Sequence, residues 1–119
     1  MRGNRLRHNK YGAIRTTVDG ITFDSKAEAR RYGELKLMEK TGLVASIRVH
    51  PRFPIIVNRI KVCSVILDFS YYYLEDKLVV HEDIKGKDNA LSRLKRKLVE
   101  ACWNIKVTVV RKRSSKSGR

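Results

Sequence analysis

Asp68, Asp83 and Lys85 are residue types that can hold a hard divalent cation and move a proton, and their spacing puts them on one face of a β-hairpin. Val62–Tyr73 alternates with period two, with Cys63, Val65, Leu67, Phe69, Tyr71 and Tyr73 on the apolar side. Asp68 is the single charge in that segment and falls on the other side. Leu74-Glu75-Asp76-Lys77 is the natural turn into Leu78–Lys85. A hairpin centred between Glu75 and Asp76 faces Tyr73 with Leu78, Tyr71 with Val80 and Leu67 with Ile84, and a one-residue slip would lose that apolar agreement. The same register sets Asp68 against Asp83 and Ile66 against Lys85, with directly opposed Cβ atoms roughly 5 Å apart. Two carboxylates at that distance repel. Lys85 alone can offset them, and so can Mg²⁺, which takes one or two carboxylates and keeps waters for a substrate phosphate. Glu82 falls opposite Phe69 on the apolar side and ranks below Asp83, an order that an odd-length loop would reverse.

A fourth acid, Glu28, heads a helix. Ser25-Lys26-Ala27-Glu28 is a capping-box pattern, which by itself accounts for a glutamate there. Glu28 is also in line with Tyr32 and Leu35, on the face that points inward, where it could reach the same acidic cluster.

The elements that must position these groups follow from periodicity and stop signals. Ser25 to about Thr41 reads as a helix ended by Gly42, with Ala27, Ala29, Tyr32, Leu35 and Met38 at helical spacing. Val44–Val49, Ile55–Val57, Val62–Tyr73 and Leu78–Lys85 read as strands, with Asn58-Arg59 a turn and Gly86–Asn89 a loop. Ala90 to about Trp103 reads as a second helix with a Leu91, Leu94, Leu98, Ala101 stripe, and Ile105–Val110 as a last strand. The expectation is one α/β sheet with packed helices, spanning residues 21–110, between a basic arm (1–20) that orders only on binding and a basic tail (111–119).

Charge points to a partner. The formal net charge is +15 over 119 residues, which favours a polyanion. Arg5, Arg7, Lys10 and Arg15 in the arm, Arg111, Lys112 and Arg113 in the tail, and the internal run Arg93, Lys95, Arg96 and Lys97 are the candidate phosphate contacts. The chain carries no secretory signal and no apolar run of bilayer length, so an intracellular protein without membrane contact is expected. Cys63 and Cys102 read as reduced, buried packing residues. His8, His50 and His81 have no zinc spacing with them, and His81 reads as a polar strand residue. Without a Gly-rich phosphate loop or a nucleophile elbow, no organic cofactor is expected. Tyr71, Tyr73 and Trp103 read as packing.

Glu28 on a helix, Asp68 on a strand and Asp83-Ile84-Lys85 on its hairpin partner, then a helix and a strand, resemble the PD-(D/E)xK nuclease superfamily. The stretches "FDSKAEARRYGELKLMEKTG", "LDFSYYY", "HEDIKG" and "LKRKLVE" look closer still to a phage-encoded branch of small endonucleases related to junction resolvases. Leu67 stands where the superfamily's name has proline. The resemblance implies a restriction-endonuclease-like core of helix, three to four mixed strands, helix and strand. It implies Mg²⁺, with Mn²⁺ as substitute, held by Asp68, Asp83 and the Ile84 backbone carbonyl. Lys85 would act on the attacking water, and Glu28 would hold a metal-bound water or second metal. It further implies a homodimer acting on branched or duplex DNA, most sharply on a four-way junction in phage recombination. A nicking, flap or mismatch nuclease, and a non-catalytic basic nucleic-acid-binding protein, are the competing readings.

Overall fold

Alternation along Phe69–Tyr73 and Leu78–Lys85 builds the centre of the sheet. In the computed structural model, which describes residues 15–111, the elements run β1 (Thr16–Val18), β2 (Ile21–Phe23), α1 (Lys26–Lys40), β3 (Val44–Val49), β4 (Arg52–Val57), β5 (Ile60–Ile66), β6 (Phe69–Tyr73), β7 (Leu78–Lys85), α2 (Ala90–Trp103) and β8 (Val107–Arg111). The fold is α/β. Its main sheet has the order β3-β6-β7-β8, mixed because β8 joins β7 in parallel while the other pairs are antiparallel. The parallel pair requires a crossover, and α2 supplies it. The expected hairpin register is the one observed, from Tyr73 opposite Leu78 to Phe69 opposite Glu82.

Each face of the sheet carries its own core. On one, Phe23, Ala29, Tyr32, Leu35, Val44, Phe69 and Tyr71 pack together, flanked by Val80 and Ile84. On the other, Phe53, Ile55, Val65 and Leu67 from the β4–β5 hairpin meet Val99 of α2 and Val107 of β8. Side chains two apart on β7 therefore share a side: Val80, Glu82 and Ile84 toward α1, and His81, Asp83 and Lys85 toward α2 and the β4–β5 hairpin.

Helix α1 begins where the sequence says it should. Ser25 is the N-cap and its side chain accepts from the Glu28 N–H at 3.2 Å. The helix closes at Thr41, followed by Gly42 with φ +86, a conformation that favours glycine. Asn89 caps α2, accepting from the Ser92 N–H at 2.9 Å.

Several expectations change. Val62–Tyr73 is not one strand: it breaks at Leu67-Asp68 into β5 and β6. Leu67 turns into the second core and donates its N–H to Pro51 O at 3.0 Å, so it does not oppose Ile84. Only part of the expected α2 stripe packs: Leu91 (59% exposed) and Leu94 (52%) lie outward, while Leu98 packs against the second core beside the fully buried Val99. Part of the supposed arm is ordered: Thr16–Val18 pairs with Ile21–Phe23, and Phe23 plugs the first core. Cys102 is exposed, and no disulfide links it to Cys63. Trp103 is exposed rather than a buried packing residue, although its indole N–H donates to Pro54 O at 3.0 Å and its ring stands edge-on to Phe53. Arg5, Arg7, Lys10, Lys112 and Arg113 lie outside the described residues, as do most of the arm and the tail beyond Arg111. No helix among the described residues is long and apolar enough to cross a membrane.

Candidate functional site

The break between β5 and β6 is what places Asp68. Leaving the ladder, its backbone stays tethered, with its N–H donating to Glu82 O at 3.2 Å and its carbonyl accepting from the His50 N–H at 2.9 Å. Its carboxylate folds back over the end of β7 and accepts the Ile84 N–H at 2.7 Å. There it comes under the influence of the Asp83 carboxylate. Burial, reinforced by the charges of Glu28 and Asp83, pushes the Asp68 carboxyl up to about 8, while the Ile84 N–H pulls the other way. Glu28 is also raised, first by burial and then by Asp24 and, more weakly, Asp83.

Asp83 is buried on β7, with Lys85 Nζ 3.4 Å and Arg96 NH1 3.9 Å from its Oδ2. Arg96 is itself held on Asp88, with NH1 donating to Oδ1 at 3.0 Å, so α2 presents a fixed cation beside Asp83. A pocket of about 220 Å³ opens here, lined by Asp83, Lys85, Ser64, Ser92, Lys95 and Arg96. Part of the basic run of α2 thus adjoins the acidic pair. Arg93, Lys95 and Lys97 are exposed, as are Arg15 and Arg111, whereas Arg96 is engaged within the fold.

Glu82 is withdrawn from this pocket. It is fully buried on the α1 side, where Arg31 grips both oxygens (Nε to Oε2 2.8 Å, NH2 to Oε1 3.0 Å) and Tyr71 Oη donates at 2.7 Å. Glu82 stabilises the protonated Arg31, while burial and then the bond to Glu82 push the Tyr71 hydroxyl up to about 12, with Arg31 pulling the other way. The two adjacent acids therefore do different jobs: Glu82 fastens α1 to β7, and Asp83 faces the pocket. Removing Arg31 would strand a buried charge. Arg31→Met is expected to cost about 3 kcal/mol in urea unfolding, and Arg31→Met/Glu82→Met to recover most of it. An Arg31→Met variant of wild-type stability would show that the pair holds nothing.

Glu28 makes the predicted cap, but its side chain accepts from the Asp24 N–H at 3.4 Å rather than from Ser25. Its carboxylate, a ring nitrogen of His50 and the Asp68 carboxylate lie within 4.8 Å of one another, a group that could hold a metal ion. Opposite ligands of an octahedral ion at about 2.1 Å stand about 4.2 Å apart, so a small contraction would close the shell. His50 is the member that sequence reasoning missed. It follows β3 with φ 55, immediately before Pro51, and the sequence marks it only as a histidine at a strand end. His81, by contrast, is a packing residue, its Nδ1 bonded to Ser70 Oγ at 2.9 Å and its ring edge-on to Phe53.

A family model described as "Protein of unknown function (DUF1064)" matches residues 8–117. The chain belongs to the DUF1064 family. No curated protein and no solved structure matches it. In this DUF1064 member, then, function has to be read from the site itself: three acids and a histidine converge at one end of the sheet, a lysine stands against one of the acids, and a cationic helix borders them.

Proposed function

We propose that this protein is a metal-dependent endodeoxyribonuclease that hydrolyses phosphodiester bonds at the Asp68–Asp83–Lys85 cluster. The observation that carries this reading is Asp68 itself, a carboxyl wedged among Glu28, His50 and Asp83. Like charges gathered this way destabilise the fold unless a cation or proton joins them, and a functional site is the usual place for such a cost. The donor set fits a divalent cation. Asp68, Asp83 and the Ile84 carbonyl would hold it, with Glu28 contributing directly or through a water, and Mg²⁺ or Mn²⁺ suits the oxygen atoms. A cation there would polarise the phosphate and lower the pKa of a bound water.

The protein's own groups supply the rest. Lys85, paired with Asp83 at 3.4 Å, would orient or deprotonate the attacking water and face charge developing on the phosphate. Lys95, on the same pocket wall, and the exposed Arg93 and Lys97 would hold neighbouring phosphates, which positions DNA without reading its sequence. The +15 charge makes DNA the natural polyanion and makes binding strongly salt-dependent. The sharper form of the proposal, supported by the likeness of the motifs to phage junction resolvases, is a homodimer cutting four-way or other branched DNA. Paired cuts on symmetric strands need two sites, and one chain carries one.

The full chain is expected to cut at least one of a duplex, flap and four-way-junction panel in Mg²⁺ or Mn²⁺, and to cut none in EDTA. Cleavage that persists undiminished in EDTA would contradict a metal-dependent mechanism.

A further inference from the structure

His50 has three features that a packing residue does not need. Its backbone takes the left-handed conformation at φ 55, unusual for a side chain with Cβ and disfavoured just before a proline. It is tied to Asp68 by its own N–H, so the two residues are held as a unit. Its ring leans on Phe23 at 5.7 Å between centroids, and no side-chain hydrogen bond to either ring nitrogen is seen among the described residues. Both other members of the Glu28–His50–Asp68 group are carboxylates. An imidazole that is half-buried, fixed in an uncommon conformation and left with free nitrogens beside two carboxylates has the arrangement of a ligand.

The identity of the donor matters for the ion. Mg²⁺ prefers hard oxygen and gives up water reluctantly, whereas imidazole suits first-row transition ions. We infer that His50 ligates the metal through a ring nitrogen together with Glu28 and Asp68, and that this nitrogen makes the position select Mn²⁺ over Mg²⁺. The inference rests on the metal-dependent reading above and goes past it, because an all-oxygen site would carry the proposed hydrolysis without discriminating between the two ions in this way.

The test is made on the purified full chain with Mn²⁺ alone as the probe. Electron spin-echo modulation of the bound Mn²⁺ should show ¹⁴N coupling from a directly ligated imidazole, and His50→Gln should abolish that coupling. In calorimetric titration, His50→Gln should weaken Mn²⁺ at least about tenfold, since removing even outer partners of metal ligands costs about that much, while Mg²⁺ affinity changes far less. Circular dichroism confirms that the variant is folded, and Asp68→Asn, which should lose the Mn²⁺ as well, locates the ion. Bound Mn²⁺ with no ¹⁴N coupling, or with coupling unchanged in His50→Gln, overturns the role of His50 and leaves the metal-dependent reading standing. Wild-type protein that binds no Mn²⁺ overturns both. A merely structural histidine would move neither the nitrogen coupling nor the Mn²⁺-to-Mg²⁺ ratio.

Discussion

Asp83→Asn is expected to lower DNA cleavage at least about 10³-fold while DNA affinity holds or rises slightly. The asymmetry comes from where Asp83 stands. Its carboxylate is buried at the pocket floor, between Lys85 and Arg96, and borders Asp68. On the proposed mechanism, neutralising it would remove a metal donor and also release Lys85 from its ion pair. The groups that would hold DNA, the exposed cations of α2 and the termini, keep their charge, and the surface loses one negative charge. Asparagine preserves the size of the side chain, so a thermal midpoint near wild type is expected alongside the lost activity. Near-normal cutting by a folded Asp83→Asn protein would remove Asp83 from the site.

Asp68→Asn should have the opposite effect on stability. The carboxyl is raised to about 8 in the fold, against about 3.9 in an unfolded chain. Below pH about 4 both states hold the proton. Between about 4 and 8 the unfolded chain has released it while the metal-free native protein keeps it, so stability is lost as pH rises through that window and levels off above it. Asparagine cannot ionise, yet its amide oxygen can still accept the Ile84 N–H. We expect the metal-free variant to gain about 2 kcal/mol or more at pH 8, with a flatter pH profile, in urea unfolding. The same native proton must leave when a cation binds, so wild-type metal affinity should climb with pH up to about 8, and a saturating ion should restore the stability lost there. Asp68→Asn would then be the more stable and the less active protein, a trade common at sites that concentrate like charge. A metal-free wild type whose stability does not fall between pH 5 and 8 would argue against the raised carboxyl.

The parts of this arrangement legible in the sequence are those fixed by local rules. Alternation and a four-residue turn set the β6–β7 register, and with it the opposite directions of Glu82 and Asp83. Ser25 and Gly42 bracket α1, and that placed Glu28. What stayed hidden depends on long-range packing. Period-two alternation runs unbroken through Leu67-Asp68-Phe69, so nothing local marks the corner. It forms because Leu67 belongs to one core and Phe69 to the other. In α2 the Leu91, Leu94, Leu98 stripe is a good helical pattern, yet only its Leu98 end packs, because the buried face is set by Val99. Val99, with Ser92 and Arg96 toward the pocket, faces inward. His50 reaches Glu28 and Asp68 only because β3 pairs with β6 and brings its end beside the corner. Cross-strand neighbours of that kind have no signature in one sequence.

The most direct test of phosphodiester hydrolysis at this cluster is single-turnover cleavage of labelled four-way-junction and duplex DNA in Mn²⁺ and in Mg²⁺, comparing wild type with Asp68→Asn/Asp83→Asn, with binding measured on the same samples. Wild type should cut, and the double variant should bind at least as tightly and not cut. If wild type cuts neither substrate while the double variant simply binds more tightly, the protein is a basic nucleic-acid-binding module and the acidic cluster is not a nuclease site.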